Sequence, residues 1–341
     1  MADWAGGYTA TWRVSRVNQE TWSDSEDVPD VVRETLKISR RSDSDVPLLE
    51  EGSMSVDAPW DGEAWCRITM TADGSERVPV STVLCQSASR QTARGTVSDV
   101  DAWSVLKPAD DTKLTHGAYA PQGCDGAEEA ARLIRACTPA PVVVEGSFTI
   151  SDHVVFDLGA SHLDGAWQLL RAGDFCIQID GDGTIHVRPM PDSPSLVIDR
   201  TTADIVSVAG VDESYDLSNV PNRYTAVDGS QVEVATNEDP SSPVSYRSRG
   251  RWVDVVDTSP VRVNGETLAA YARRRLREMS VVRREVTYNR EFWPDVVPFS
   301  VVRCSMPEHG LDGDLRVSSQ ALTLGKGITV RETAYREESL L

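Results

Sequence analysis

The sequence predicts an α+β protein that is mainly β, with two antiparallel barrel or sandwich domains on either side of a small α+β domain. Three observations carry this. Apolar and polar residues alternate with a period of two through the first hundred residues and again beyond residue 196. Helical periodicity is confined to a few short stretches between those regions and to residues 266–280. The chain has 341 residues, beyond the size at which a single core stops growing, so two or three domains are expected.

In the first domain, residues 1–106, Tyr8, Ala10, Trp12 and Val14 alternate with Thr9, Thr11, Arg13 and Ser15. Ala64, Cys66, Ile68 and Met70 repeat the pattern, as do Val78, Val80, Thr82 and Leu84, and residues 35–39 add a shorter strand. Pro47, Gly52, Asp61-Gly62 and Asp73-Gly74 read as turns between them. The result is a small antiparallel barrel or sandwich.

Lys107-Pro108 opens the second domain, residues 107–195. Ala127, Ala130, Ala131 and Ile134 share a helical face, Asp125 with Glu128 forms a capping-box-like start, and Pro139 and Pro141 end the helix. Strands are expected at 142–144 and 149–156, a helix near 163–171, and a hairpin of 175–179 with 184–188 around Asp180-Gly181-Asp182-Gly183. The third domain, residues 196–341, is expected to hold strands at 205–211, 223–227, 231–235, 251–256, 284–288, 299–304, 315–322 and 328–334, the last two joined as a hairpin around Gly325-Lys326-Gly327. One amphipathic helix, 266–280, places Leu268, Ala272, Leu276 and Met279 on one stripe and Arg273, Arg274 and Arg277 on the other faces.

Composition limits the function. Lys plus Arg number 34 against 53 Asp plus Glu, a formal charge of −19, which disfavours stable binding to phosphate backbones. Six scattered cysteines form no CxxC pair, the N-terminus has neither the basic start nor the apolar core of a signal peptide, and reduced, buried thiols are expected. No apolar run approaches the roughly 20 residues of a membrane span.

Chemistry-bearing motifs are missing. His116, His153, His162, His186 and His309 have no HExxH or HxH spacing. Asp180-Gly181-Asp182-Gly183-Thr184 superficially matches the start of a calcium loop but lacks the third acidic ligand and the terminal Glu, so a hairpin turn is expected. There is no GxSxG elbow, P-loop or GxGxxG. We therefore assign no catalytic, cofactor-binding or metal residues and no cofactor. The locally basic run Arg273-Arg274-Arg275-Leu276-Arg277 is read as a packing helix that turns its charge towards a neighbouring subunit, with Leu268 and Leu276 on its packed side.

Several segments in this order resemble the tail hub family of phages, which includes contractile-phage baseplate hubs, the hub part of type VI secretion spikes and the N-terminal hub region of tail-associated lysozymes. They are ISRRSDSDVPLLEEGSMSVD at 38–57, WCRITMTAD at 65–73, FCIQIDGDGTIHVRPMPDSP at 175–194, Val220-Pro221-Asn222-Arg223 and ATNEDPSSPVS at 235–245. LAAYARRRLREMS at 268–280, EVTYNREFWPDVVPFSVV at 285–302 and SSQALTLGKGITVRETAYRE at 318–337 continue the series. The resemblance implies two tube-type β domains per subunit, a homotrimer forming a pseudo-sixfold ring, and a middle domain bracing it from outside. That ring would match a sixfold tail tube to a threefold tip and let genomic DNA pass. Its partners would be distal tail and tail tube proteins and separate tip, fibre or tape-measure proteins, and its place the virion tail. Lysozyme-type relatives often continue into a peptidoglycan hydrolase, whereas this sequence stops at Leu341 after the last expected hub strand, so lytic activity is not carried over. A tail-tip cell-wall hydrolase and a carbohydrate-binding module, for which the many Trp could provide stacking platforms, are the alternatives; Trp12, Trp65 and Trp103 are expected as core or interface residues.

Overall fold

The computed structural model describes residues 9–32, 35–42, 49–72, 77–92, 96–199, 206–207, 217–307, 311–325 and 328–341. The first seven strands are β1 (Ala10–Val17), β2 (Asp24–Asp27), β3 (Lys37–Arg41), β4 (Leu49–Val56), β5 (Glu63–Ala72), β6 (Arg77–Gln91) and β7 (Val97–Ser104). The middle of the chain gives α1 (Lys107–Asp111), β8 (Tyr119–Ala120), α2 (Gly126–Arg135), β9 (Val142–Val144), β10 (Val154–Val155), α3 (His162–Ala172), β11 (Phe175–Ile179) and β12 (Ile185–Pro189). Then come β13 (Pro194–Ile198), β14 (Val206–Ser207), β15 (Arg223–Asp228), β16 (Gln231–Thr236), α4 (Tyr246–Arg249), β17 (Asp254–Asp257) and α5 (Leu268–Met279). The last strands are β18 (Val281–Glu291), β19 (Val301–Met306), β20 (Leu311–Leu324) and β21 (Ile328–Ser339).

One 13-stranded sheet dominates, following the path β14-β18-β21-β20-β3-β4-β7-β6-β5-β1-β2, with β19 on β20 and β13 parallel to β19. N-terminal and C-terminal strands meet at the antiparallel β3–β20 pair, where Ile38 faces Leu322. The core beneath follows suit: Ile38, Met54, Ile68 and Val100 join Leu322, Ile328 and Val330 in one cluster. Among the described residues the path stays open, and no barrel closes.

Strand β5 is buried on both faces, where alternation alone predicts half burial. Cys66, Ile68 and Met70 enter the sheet core, while Trp65 on the opposite face meets Trp22 edge-on at 5.4 Å and joins the core of the middle segment. Gly52, expected in a turn, lies inside β4 instead. A Cβ there would stand 2.6 Å from both Ile38 Cδ1 and the Lys37 carbonyl, so the glycine permits close strand packing rather than a bend.

In the middle segment α2 and α3 cover β9, β11 and β12. Ala127, Ala130, Ala131 and Ile134 are fully buried. Asp125 caps α2 by accepting from the Ala127 amide, but Glu128 pairs with Arg135 rather than closing a capping box. The full capping box belongs to α3, between Ser161 and Asp164. The strand expected at 149–156 shrinks to β10, because Ile150 turns away to bridge Val263.

Residues 217–280 build a separate three-stranded sheet, β16-β15-β17, in which β15 and β17 run parallel. Helix α5 packs its Leu268, Tyr271, Ala272 and Leu276 onto Tyr224, Ala226 and Ala235 of that small sheet. Of the strand expected at 205–211 only Val206–Ser207 is described; Asp73-Gly74, Pro47, His309 and the tip Lys326-Gly327 fall outside the described residues.

Candidate functional site

The two faces of the large sheet differ sharply where its halves meet. On the inner face, direct register partners run Glu50–Arg40–Gln320–Glu332–Tyr288 through β4, β3, β20, β21 and β18. All five are nearly inaccessible to solvent. Buried polar groups must find partners, and these do. Glu50 Oε1 accepts from Arg40 Nε at 2.8 Å and from Ser81 Oγ at 2.6 Å, while Arg40 also donates to the Val80 carbonyl. Glu332 accepts from Tyr288 Oη at 2.5 Å, Arg290 Nη2 at 2.5 Å and Gln320 Nε2 at 2.7 Å. Burial, and then the Glu332 charge beside it, pushes the Tyr288 phenol well above its ordinary range.

On the outer face these strands and β7 present hydroxyl, amide and charged side chains, with Ala321 and Trp103 the apolar members. One register row reads Asp101–Ser53–Lys37–Thr323–Thr329–Glu291 and the next Trp103–Glu51–Ser39–Ala321–Arg331–Asn289. None of these residues is buried, and the fixed charges are three carboxylates and two cations. Hydroxyls bond along the face: Thr287 to Thr333 at 3.0 Å, and Ser55 and Ser89 to the Asp99 carboxylate at 3.1 and 2.8 Å. Beta-branched threonine suits an extended backbone and keeps the surface low.

The middle segment is latched to both halves of this sheet. At the turn Asp180-Gly181-Asp182-Gly183, the Gly181 carbonyl accepts from Thr82 Oγ1 at 2.9 Å. The Asp182 carbonyl accepts from Trp22 Nε1 and Arg67 Nη2, both at 2.9 Å. A Cβ at Gly181 would lie 2.1 Å from the Pro79 carbonyl, so only glycine fits. These oxygens face protein donors, and the hairpin reading holds. On the other side Gln178 Nε2 donates to the Pro298 carbonyl and Arg316 to the Pro191 carbonyl.

Helix α5 divides its predicted residues. Leu268 and Leu276 are buried against the small sheet. Arg274 is half-buried, bonded to Glu266 at 2.6 Å and Glu278 at 2.8 Å and lying over the Tyr271 ring, and Arg273 and Arg277 are exposed. The unpredicted members are Arg275, paired with Glu278 at 2.6 Å, and Asp257, which accepts from Tyr224 Oη at 2.8 Å and Tyr271 Oη at 2.7 Å. Desolvation first, and the bond to Asp257 second, raise the Tyr271 phenol strongly.

The histidines do not converge. His162 bonds the Leu133 carbonyl at the start of α3, and His186 on β12 bridges Glu145 at 3.1 Å and Asp180 at 2.9 Å. His116 and His153 lie on exposed loops. Among the described residues no group of three or more His, Cys, Asp or Glu is placed to hold a metal ion, and all six cysteines are unbridged.

No protein-family model and no curated protein matches the chain in sequence. Solved structures do match in shape. A tail protein from Neisseria meningitidis MC58 superposes with a TM-score of 0.66 at 16% identity, covering 97% of each chain. The 43 kDa tail protein of prophage MuSo2 from Shewanella oneidensis gives 0.66 at 12% identity, over 96% of this chain and 98% of that one. An E. coli component of the type VI secretion system, described as structurally similar to the T4 tail proteins gp27 and gp5, gives 0.50 at 10% identity over 89% and 73%. The chain thus has, over nearly its whole length, the mainly β fold of these two tail proteins.

Proposed function

We propose that the chain is a structural hub of a phage tail or related injection machine. Three copies would form the ring that joins a sixfold tail tube to a threefold tip. The observation that supports this most is the coverage: 97% of the chain aligns with 97% of the Neisseria tail protein, so neither chain has a large portion unmatched. In this reading the outer face of the large sheet lines the DNA passage. Its short hydroxylated side chains and its small excess of carboxylates over cations give a phosphate backbone little to grip. The middle segment, latched to Thr82 and Arg67 on one side and to Pro298 on the other, fastens to both halves of that sheet.

The partners are further copies of the chain, distal tail and tail tube proteins, and separate tip, fibre or tape-measure proteins, and the location is the virion tail. The role is structural rather than catalytic. Mass measurement of the purified protein in solution tests the proposal: a trimer of the 37.3 kDa chain is expected, and a stable monomer at tens of micromolar overturns it. Clearing of host peptidoglycan in a zymogram, abolished by one Asp or Glu substitution, would replace it with a hydrolase.

A further inference from the structure

The joint between the small sheet and the middle segment is built on one reactive dipeptide. Of the six asparagines in the chain, only Asn264 is followed by glycine. Residues 262–265, just ahead of α5, run against residues 149–152 of the middle segment. Ile150 and Val263 form an antiparallel bridge there, and both side chains enter the core of the middle segment. The Ser151 amide donates to the Arg262 carbonyl at 2.9 Å, and the Asn264 amide to the Thr149 carbonyl at 2.8 Å. Asn264 Oδ1 accepts from the Thr149 amide at 3.0 Å, and the Gly265 amide donates to Ser151 Oγ at 2.8 Å. Arg262 pairs with Asp152 at 2.5 Å and completes the joint.

An asparagine before glycine is open to attack by its own backbone. Glycine has no Cβ to shield its nitrogen, and at Gly265 nothing stands within 4 Å of the place a Cβ would occupy. Both residues are exposed, and both have positive φ, 51° at Asn264 and 73° at Gly265, as in a two-residue turn. The reaction needs only water. The Gly265 nitrogen loses its proton to hydroxide and attacks Asn264 Cγ, and the bond from Cγ to the side-chain nitrogen breaks. Ammonia leaves with a proton taken from water, and a five-membered succinimide remains. Water then opens the ring at either carbonyl and gives aspartate or isoaspartate, with nothing oxidised or reduced. In the closed joint both reacting groups are committed, the Gly265 N–H to Ser151 and the Asn264 side-chain oxygen to Thr149. The nitrogen reaches Cγ only when the joint opens, so conversion follows the open fraction.

We propose that Asn264-Gly265 is a deamidation site gated by this joint, and that its conversion to isoaspartate unfastens the small sheet from the middle segment. Isoaspartate carries the main chain through the former side chain. The two amides that now reach Thr149 and Ser151 are then spaced one carbon further apart, and the former Oδ1 becomes a main-chain carbonyl. A new carboxylate also enters a loop that already holds Asp152 and Glu266. Because the step does not reverse, the modified fraction records how often the joint has opened since synthesis.

The experiment incubates the full-length native chain, Ser151→Ala and Asn264→Gln at mildly alkaline pH, with a second native sample held unfolded in guanidinium. Peptide mapping that separates aspartate from isoaspartate follows residue 264. The folded native chain should convert about ten-fold more slowly than the unfolded one. Ser151→Ala should convert about five-fold faster than the folded native chain, since the hydrogen bond holding the nitrogen is gone. Asn264→Gln should yield no isoaspartate. In the converted native protein, amide exchange at 149–151 and 262–265 should quicken while the large sheet keeps its protection. Equal rates in the folded and unfolded native samples, a comparison that needs no variant, overturn the gating. A native rate in folded Ser151→Ala removes Ser151 as the gate. If only the unfolded sample converts, or none does, the site is overturned for the folded protein. Unchanged exchange after conversion overturns the unfastening.

Discussion

Arg40 of β3 and Gln320 of β20 are register partners at the seam where the two ends of the chain enter one sheet. Arg40 is committed to Glu50 and Gln320 to Glu332, so two separate buried polar clusters abut across the seam. A one-residue slip of β20 on β3 would turn Gln320 outward and push Ala321 or Ser319 against Arg40. Register is strongly specified where one face is buried, and here polar partners specify it further.

Glu332→Ala should cost about 3–5 kcal/mol, because the Arg290 guanidinium stays buried without that carboxylate. Replacing Glu332, Arg290 and Gln320 together with apolar residues of similar volume should cost much less. Chemical denaturation of the single and triple variants measures both. Equal losses would mean that the cluster contributes through packing rather than charge.

Gly52→Ala should destabilise by about 1–3 kcal/mol, as expected for overpacking a tight core. The new methyl meets both the Ile38 side chain and the Lys37 carbonyl. Ile38→Val in the same chain should recover only part of the loss, since the backbone clash persists. Thermal melts of the single and double variants decide it.

Gly181→Ala should unlatch the hairpin turn from β6, since its Cβ would stand 2.1 Å from the Pro79 carbonyl. Trp22 would lose its hydrogen bond to the Asp182 carbonyl and become more accessible. Increased quenching of tryptophan fluorescence by iodide, with most of the strand signal intact, is the expected result. Trp22→Phe, measured in parallel, should remove that increase.

Stability should fall as the solution becomes strongly alkaline. Tyr224, Tyr271 and Tyr288 all have raised folded-state pKa values, with desolvation the leading cause in each. Their contribution is complete below the unfolded tyrosine value near 10 and is lost as pH rises above it, because the unfolded chain releases protons that the folded chain retains. Denaturation midpoints measured from pH 8 to pH 11.5 should decline, and Tyr271→Phe should flatten the decline.

Introducing arginine at Ser53, Thr323 and Thr329 tests the outer face as a DNA passage. These exposed positions are neighbours in one register row with Lys37 between two of them, so the added cations repel one another and a modest loss of stability, about 1–2 kcal/mol at low salt, is expected alongside the retained fold. Virions carrying the triple variant should eject DNA more slowly, with the delay shrinking as salt is raised. Unchanged ejection kinetics would place the passage elsewhere.

The strands were legible because alternation is a local property: Ala64, Cys66, Ile68 and Met70 could be assigned from sequence alone. The buried polar row was visible in part and went unread. Glu332 falls in phase with Ile328, Val330 and Ala334, and Arg40 in phase with Ile38, so each places a charge where the pattern calls for an apolar residue. What no local pattern contains is that these residues stand in one row, because that depends on β3 pairing with β20. The burial of Trp65 and the position of Gly52 were missed for the same reason, since both answer to segments distant in sequence. For α5, Leu268, Ala272 and Leu276 pack on the small sheet together with Tyr271, which the stripe left out, and which arginines stay outside depends on Glu266 and Glu278 and on that tyrosine ring.

The β3–β20 pair also sets a timetable for synthesis. While the chain is being made, β3 emerges early and pairs with β4, but its other edge waits for residues that leave the ribosome on the order of tens of seconds later. During that interval it is an unsatisfied edge with Ile38 in its centre, open to pairing with the same strand of a neighbouring nascent chain. Lys37, Arg40 and Arg41 space cations along that short strand and oppose such pairing. Arg40, which in the finished sheet stands opposite Gln320, is thus one of the three cations that would oppose premature pairing of this edge.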